Sequence, residues 1–273
     1  MFRRKGGRKL KRFDVIITSL SLGDEHEELL RRVWRSGPEN VFFVSIGEVP
    51  SSLQGKAEFI MEKKRSGKSK ALNMAMEYVK SPVVLLLCGD VMPEENSIEM
   101  LIEKIEGDVV AAGSRPIPEK GVGLASRIAW LIWELHHRIC LRKPKLSGEM
   151  FAMKSKEFDL PDWIINDDAW LQSKVEKKGN IVYEPKAVVK NRGERKILSL
   201  FKQRSRIALG YIQMKKEGKD FKKESAFGDV IELIREHPNK SHFILAGCLI
   251  ELSARAWARV SAKRGKFSTL WEK

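Results

Sequence analysis

A chain of 273 residues, 42% hydrophobic and 32% charged, is long enough to bury a full core without disulfide staples, and its composition excludes a disordered or fibrous protein. Its net charge of +15 is unevenly spread, with Arg3, Arg4, Lys5, Arg8, Lys9, Lys11 and Arg12 crowded into the first dozen residues and no acid among them. That arm fits three partners by charge alone (nucleic acid, an anionic lipid surface, a nucleotide or lipid diphosphate), and it also fits a solvated tail. Cys88, Cys140 and Cys248 are far apart and lack metal-ligand spacing, which points to a reducing compartment and no structural zinc. The apolar stretch at 15–22 is short and interrupted by Ser19 and Ser21, too polar for a signal peptide, so the expectation is a cytoplasmic protein.

In chain order, the first half alternates β-rich runs with amphipathic ones, the pattern of a nucleotide-binding-type sheet built from successive β-α units. Residues 14–19 read as a buried strand, 25–35 as a helix, 41–46 as a strand and 58–61 as a short strand. Residues 68–78 have helical spacing, with Ala71, Leu72, Ala75, Met76 and Val79 on one side, and Pro82 ends that helix before a strand at 83–87. Pro93 and Glu94 are expected to open a helix running to Ile105, followed by a strand at 109–113. The second half reads as a Trp-rich helix at 123–141, a strand at 149–153, a helix at 168–178 and paired strands near 181–183 and 187–190. Helices at 197–216 and 241–262 follow, with charged residues 215–223 as a loop.

Ligands of open α/β sheets bind beyond the carboxyl ends of the strands. The strand at 83–87 runs into Cys88, Gly89 and Asp90, so Asp90 is a carboxylate at the expected mouth, as turn former or as ligand of a hard cation. Asn166, Asp167 and Asp168 precede a helix, where one carboxylate can cap free N–H groups and the other can act as a general base. Arg204 and Arg206 lie on one helical segment, suited to phosphate oxygens or to a solvated basic face.

Taken in series, five motifs resemble the family 2 glycosyltransferases of GT-A fold, a group that includes polysaccharide synthases and dolichol-phosphate sugar synthases. They are Gly67 to Asn73; the strand into Asp90 with Pro93; Gly148; Asp167-Asp168 with Leu171, Gly179 and Tyr183 to Pro185; and Gln203 to Arg206. The resemblance spans residues 13–216 and implies an α/β, Rossmann-like, mixed and mostly parallel sheet flanked by helices, with C-terminal helices beyond it. It implies that Asp90 binds Mg²⁺ or Mn²⁺ and that Asp168 is the catalytic base. Lys68, Lys70 and Asn73 would flank the donor nucleotide; Gln203, Arg204 and Arg206 would lie near the diphosphate; Gly148 and Asp167 would lie on the acceptor side. The implied reaction is an inverting transfer from a UDP- or GDP-sugar to a glycan or lipid-linked acceptor. The alternatives are a degenerate relative or a nucleotidyltransferase on the same fold.

Four positions depart from the family pattern. Cys88 replaces the first Asp of D-x-D, Ser45 to Glu48 lack the Asp residues that contact the base, Asp167 stands where Glu is usual, and Ile207 replaces a Trp. Ser66 to Ser69 imitate the end of a Walker A loop, but Glu62 stands where its first Gly belongs. His136 and His137 are read as a surface or satisfied core pair with no Cys or acid ligand nearby, and Trp130 and Trp133 as core or interface rather than a sugar platform. Aromatic and basic residues are not interleaved as in stacking platforms, which argues against nucleic acid. The run at 241–250 is half the length of a spanning helix, and Arg255 and Arg259 follow it. Residues 217–273 are therefore expected to form a helical segment packed on the domain or lying at a membrane interface. In the interfacial case Ile244, Leu245, Cys248, Leu249 and Leu252 meet apolar surroundings, and the protein is peripheral at the inner face of the cell membrane.

Overall fold

The computed structural model describes residues 11–219 and 227–267. Most of the basic arm, part of the charged loop and the closing segment 268–273 lie outside these residues. The elements run β1 (Phe13–Thr18), α1 (His26–Arg35), β2 (Val41–Ile46), β3 (Glu58–Glu62), α2 (Lys68–Met76), β4 (Val83–Cys88), β5 (Val91–Pro93) and α3 (Ser97–Lys104). They continue with β6 (Val109–Pro118), α4 (Leu124–Arg142), β7 (Met150–Lys154), α5 (Asp167–Val175), β8 (Asn180–Asn191), α6 (Ile197–Lys216), α7 (Phe227–Glu236) and α8 (Ser241–Lys263). The strands form one sheet in the order β3-β2-β1-β4-β7-β6-β8-β5. β7 runs against β4 and β6, β5 runs against β8, and the remaining pairs are parallel.

Strand alternation divides the core between the two faces of this sheet. Val15, Ile17, Leu85 and Leu87 pack with Leu29, Val33, Leu101 and Ile102, which places α1 and α3 on one face. Ile16, Val84, Leu86, Phe151 and Met153 pack with Leu72, Ala75, Trp170, Leu171 and Met214, which places α2, α5 and α6 on the other. By the same alternation Glu149, two residues before Phe151, belongs to the second face, while Cys88 packs against the core of the first.

The structure corrects the sequence reading at three places. Pro93 ends the edge strand β5 instead of opening a helix: Val91 and Met92 pair with Asn191 and Lys190, and α3 starts only after Asn96 takes a left-handed turn at φ 64°. A proline lacks the donor an interior strand needs and fits an edge, while Asn tolerates that backbone region. The paired strands become one strand, β8, whose pairing with β6 shifts register between Gly113 and Arg115. The helix α7 was not anticipated; Arg142 binds both carboxylate oxygens of its Asp229, and Arg138 pairs with its Glu236.

α8 packs on the domain through Ile244, Ala254, Ala258 and Ala262, all buried, while Leu245, Leu249 and Leu252 stay exposed. The expectation that Ile244 shares a face with those leucines therefore fails, because Ile244 joins a small core with Leu131 and Leu233. Among the described residues no helix is long and apolar enough to cross a membrane.

Candidate active site

Five elements converge at the carboxyl edge of the sheet. The backbone of Cys88 at the end of β4 donates to the Glu149 carbonyl at 2.9 Å, joining the mouths of β4 and β7. Gly148, just before β7, has its carbonyl held by Lys68 Nζ of α2 at 2.8 Å and by the Cys88 thiol at 2.9 Å. The same Lys68 ammonium lies 2.9 Å from Asp167 Oδ2 at the start of α5. A Cβ on Gly148 would lie 3.3 Å from Lys68 Nζ and 3.7 Å from Asp168 Oδ2, so a side chain here would crowd the lysine and touch the aspartate. Asp168 accepts from the Ala169 N–H at 2.8 Å and from the Gly148 N–H. Arg206 of α6 donates to the Ile165 carbonyl at 3.1 Å and feels the charges of Asp167 and Asp168.

The charges here are poorly matched. Burial, then the neighbouring Asp167, raises the proton affinity of Asp168 against the pull of Lys68 and two N–H groups. Glu149 is pushed up to about 8 by burial first, then by Asp168 and Asp90, with Lys68 opposing. For Lys68, burial works against the ammonium, but Asp167, Cys88 and Asp168 outweigh it and hold it above its ordinary value. Burial pushes the Cys88 thiol up to about 12, so it is a neutral donor and not a thiolate ligand. Asp90 is exposed at the rim, and its charge reaches Cys88, Glu149 and Glu194.

Of the residues singled out from sequence, Asp90, Asp167, Asp168, Gly148, Lys68 and Arg206 meet in this cluster. Asn73 instead ties down the loop ahead of α5, donating to the Leu160 carbonyl at 2.8 Å and Asp162 Oδ1 at 2.5 Å. The Arg204 guanidinium is engaged by Glu251 of α8 at 2.7 Å. Lys70 is exposed and Gln203 half-buried. Sequence reasoning missed Glu149, although two-residue alternation from Phe151 pointed it into the site. It also missed Arg65, whose Nη2 is buried without a hydrogen-bond partner on the loop leading into α2; Ser147 Oγ, beside Gly148, is in the same condition. His137 is satisfied by the Tyr183 hydroxyl at 2.8 Å, as expected of a core pair. The statement that no cysteine lies near is wrong: Cys140, one turn on, brings its sulfur to 3.6 Å from the His136 ring.

Among the described residues no three His, Cys, Asp or Glu side chains group into a metal cage. The hard donor set present, Asp90 with Glu149, still fits a divalent cation that takes its other ligands from phosphate and water, and a cation there would relieve the repulsion between them.

This edge and topology define a GT-A fold. Residues 48–156 match the family model described as glycosyl transferase family 2, the family the motifs resemble. The fold is similar to that of a mannosyltransferase from Pyrobaculum calidifontis in complex with GDP-Man and Mn²⁺, with TM-score 0.61 and 18% identity over 96% of this chain and 78% of that one. It is also similar to glucosyl-3-phosphoglycerate synthase from Mycobacterium tuberculosis in complex with Mn²⁺, UDP and phosphoglyceric acid, with TM-score 0.55 and 14% identity over 78% of this chain and 80% of that one. No curated protein matches the sequence.

Proposed function

We propose that the protein is an inverting glycosyltransferase that moves a sugar from a UDP- or GDP-sugar to a hydroxyl of a glycan or lipid-linked acceptor at the inner face of the cell membrane. The observation that carries the reading is the position of Gly148, held by Lys68 and Cys88 and within a methyl group's reach of Asp168, so that motifs 80 residues apart in sequence meet at the carboxyl edge of the sheet. The family match over 48–156 and the GDP-Man and UDP complexes of the two neighbours support the same reading.

In this mechanism Asp90 and Glu149 would hold Mg²⁺ or Mn²⁺, with Glu149 in place of the carboxylate that Cys88 removes. A divalent cation there supplies charge neutralisation for the departing nucleoside diphosphate. Asp168 takes the proton of the acceptor hydroxyl as it attacks the anomeric carbon from the face opposite the leaving group. Its raised proton affinity brings this carboxylate toward working pH, where a general base is worth on the order of 10²–10⁴-fold. Lys68 fixes Asp167 and the Gly148 carbonyl, so the Gly148 N–H stays aimed at Asp168. Arg206, Lys70, Gln203 and Arg65, whose Nη2 lacks a hydrogen-bond partner, face the donor's phosphates and base, where guanidinium groups pair with two oxygens at once.

A thermal-shift panel of UDP- and GDP-sugars with and without Mn²⁺ tests the donor. A cation-dependent rise with at least one of them is expected, and a flat panel refutes the reading. The neutral Cys88 favours a second reading, a donor-binding relative that transfers nothing; nucleotide-sugar binding without turnover on lipid-phosphate or glycan acceptors would select it.

A further inference from the structure

Two loops lie side by side next to Asp90. Val91 of β5 and Pro118 of β6 both take register with Asn191 of β8, the Glu119 N–H donates to the Asn191 carbonyl at 2.8 Å, and a Cβ on Gly193 would touch Pro118 at 3.1 Å. Segments 119–124 and 192–198 thus form one rim at the catalytic mouth, and Glu194 within it feels the Asp90 charge.

The outer surface of this rim is unlike an ordinary solvated loop. Val122 is 99% exposed and Leu198 65%, with Leu124 and Ile197 exposed beside them. Within the same two segments stand Lys120, Arg192, Arg195 and Lys196, all exposed, against two acids, Glu119 and Glu194. Gly121 and Gly123 flank Val122, and Gly123 has φ 105°, a conformation that turns the valine outward and that other residues resist. Large apolar side chains cost free energy in water unless something covers them, and apolar tips set in a field of cations match the boundary between anionic headgroups and acyl chains.

We propose that this rim docks on an anionic lipid surface, seating the mouth of the cleft over acceptors held in that surface. The proposal deepens the glycosyltransferase reading by fixing where the acceptor comes from, but the docking itself does not depend on catalysis. It also differs from docking by the basic arm, because the rim requires its apolar tips as well as its charge.

The test is flotation of the full chain with phosphatidylcholine vesicles, with and without phosphatidylglycerol. Binding is expected only to the anionic vesicles. In the full chain with the arm intact, the double variant Val122→Asp, Leu198→Asp should weaken it by about tenfold or more, and the double variant Arg195→Gln, Lys196→Gln by about 25-fold, since each cation near such a surface is worth roughly a factor of five. Thermal shift with GDP-mannose or UDP-glucose plus Mn²⁺ should match wild type in both variants, which shows the fold intact and keeps a failure of the donor reading distinct. Wild type that stays unbound, or an aspartate variant that floats like wild type, overturns the proposal. So does loss of a self-associated dimer in that variant without any lipid binding in wild type.

Discussion

The two edges of the sheet treat buried carboxylates in opposite ways. At the amino edge, Asp14 of β1 is fully buried and receives Asn40 Nδ2 at 3.0 Å, Ser81 Oγ at 2.9 Å, and the Lys80 and Ser81 N–H groups at 2.9 Å each. Four donors on two oxygens leave that carboxylate nothing further to bind. At the carboxyl edge, the Lys68 ammonium pairs with Asp167 and feels Asp168 and Glu149, the Arg206 guanidinium feels both aspartates, and Asp90 adds its charge at Glu149. A saturated carboxylate is structural; crowded ones with too few donors hold capacity for a cation, a hydroxyl proton or a phosphate counter-charge.

The sharpest way to break the contrast is Asp168→Asn. Sugar transfer should fall by on the order of 10²–10⁴-fold while the melting temperature does not drop, since a repelling charge is removed. Unchanged initial rates would remove Asp168 from catalysis. Asp14→Ala should do the reverse, costing about 3 kcal/mol of stability because four donors lose their acceptor, with turnover per folded molecule intact. A denaturation midpoint equal to wild type would contradict the structural role.

Lys68→Met should be felt in both properties. Losing the ammonium takes from Asp167 its ion-pair partner and from Asp168 and Glu149 a neighbouring positive charge, and is expected to cost about 2 kcal/mol, less than a fully buried pair because Lys68 keeps 20% exposure. A melt showing no loss would mean that water already screens the cluster. The smallest effect concerns pH in the cation-free protein. Glu149 is raised from 4.5 to about 8, so between those values the folded form keeps a proton that the unfolded form has released, and stability falls as pH rises through that window. Glu149→Gln should flatten this slope and gain about 1 kcal/mol at pH 8, and Mn²⁺ should stabilise wild type more at pH 8 than at pH 6 as it displaces the proton. Parallel wild-type and variant melts across that range would count against both statements.

Much of the fold was legible because period-two and helical patterns are local. The strand at 41–46 and the helix at 197–216 coincide with β2 and α6 to the residue. Pro93 misled because a proline that can open a helix can equally end an edge strand, and only pairing with β8 decides between them. The candidate site was legible where a motif names a residue type at a fixed spacing, as for Asp90, Gly148 and Asp168. Glu149 belongs to no motif, and its role depends on which neighbours the strand brings to it.

The sequence by itself determined the alternation that sorts side chains to two sheet faces, the punctuation that ends the elements, and the order of the carboxylates and cations along the chain. Only the tertiary structure decided which of those charges would share one ammonium. Arg204 went to Glu251 of α8 while Arg206, two positions on, went to the cluster, because residues two apart on a helix point to different sides. Charge pairing depends on distances of a few ångströms between segments up to 100 residues apart, and those distances arise only when the β-α units pack.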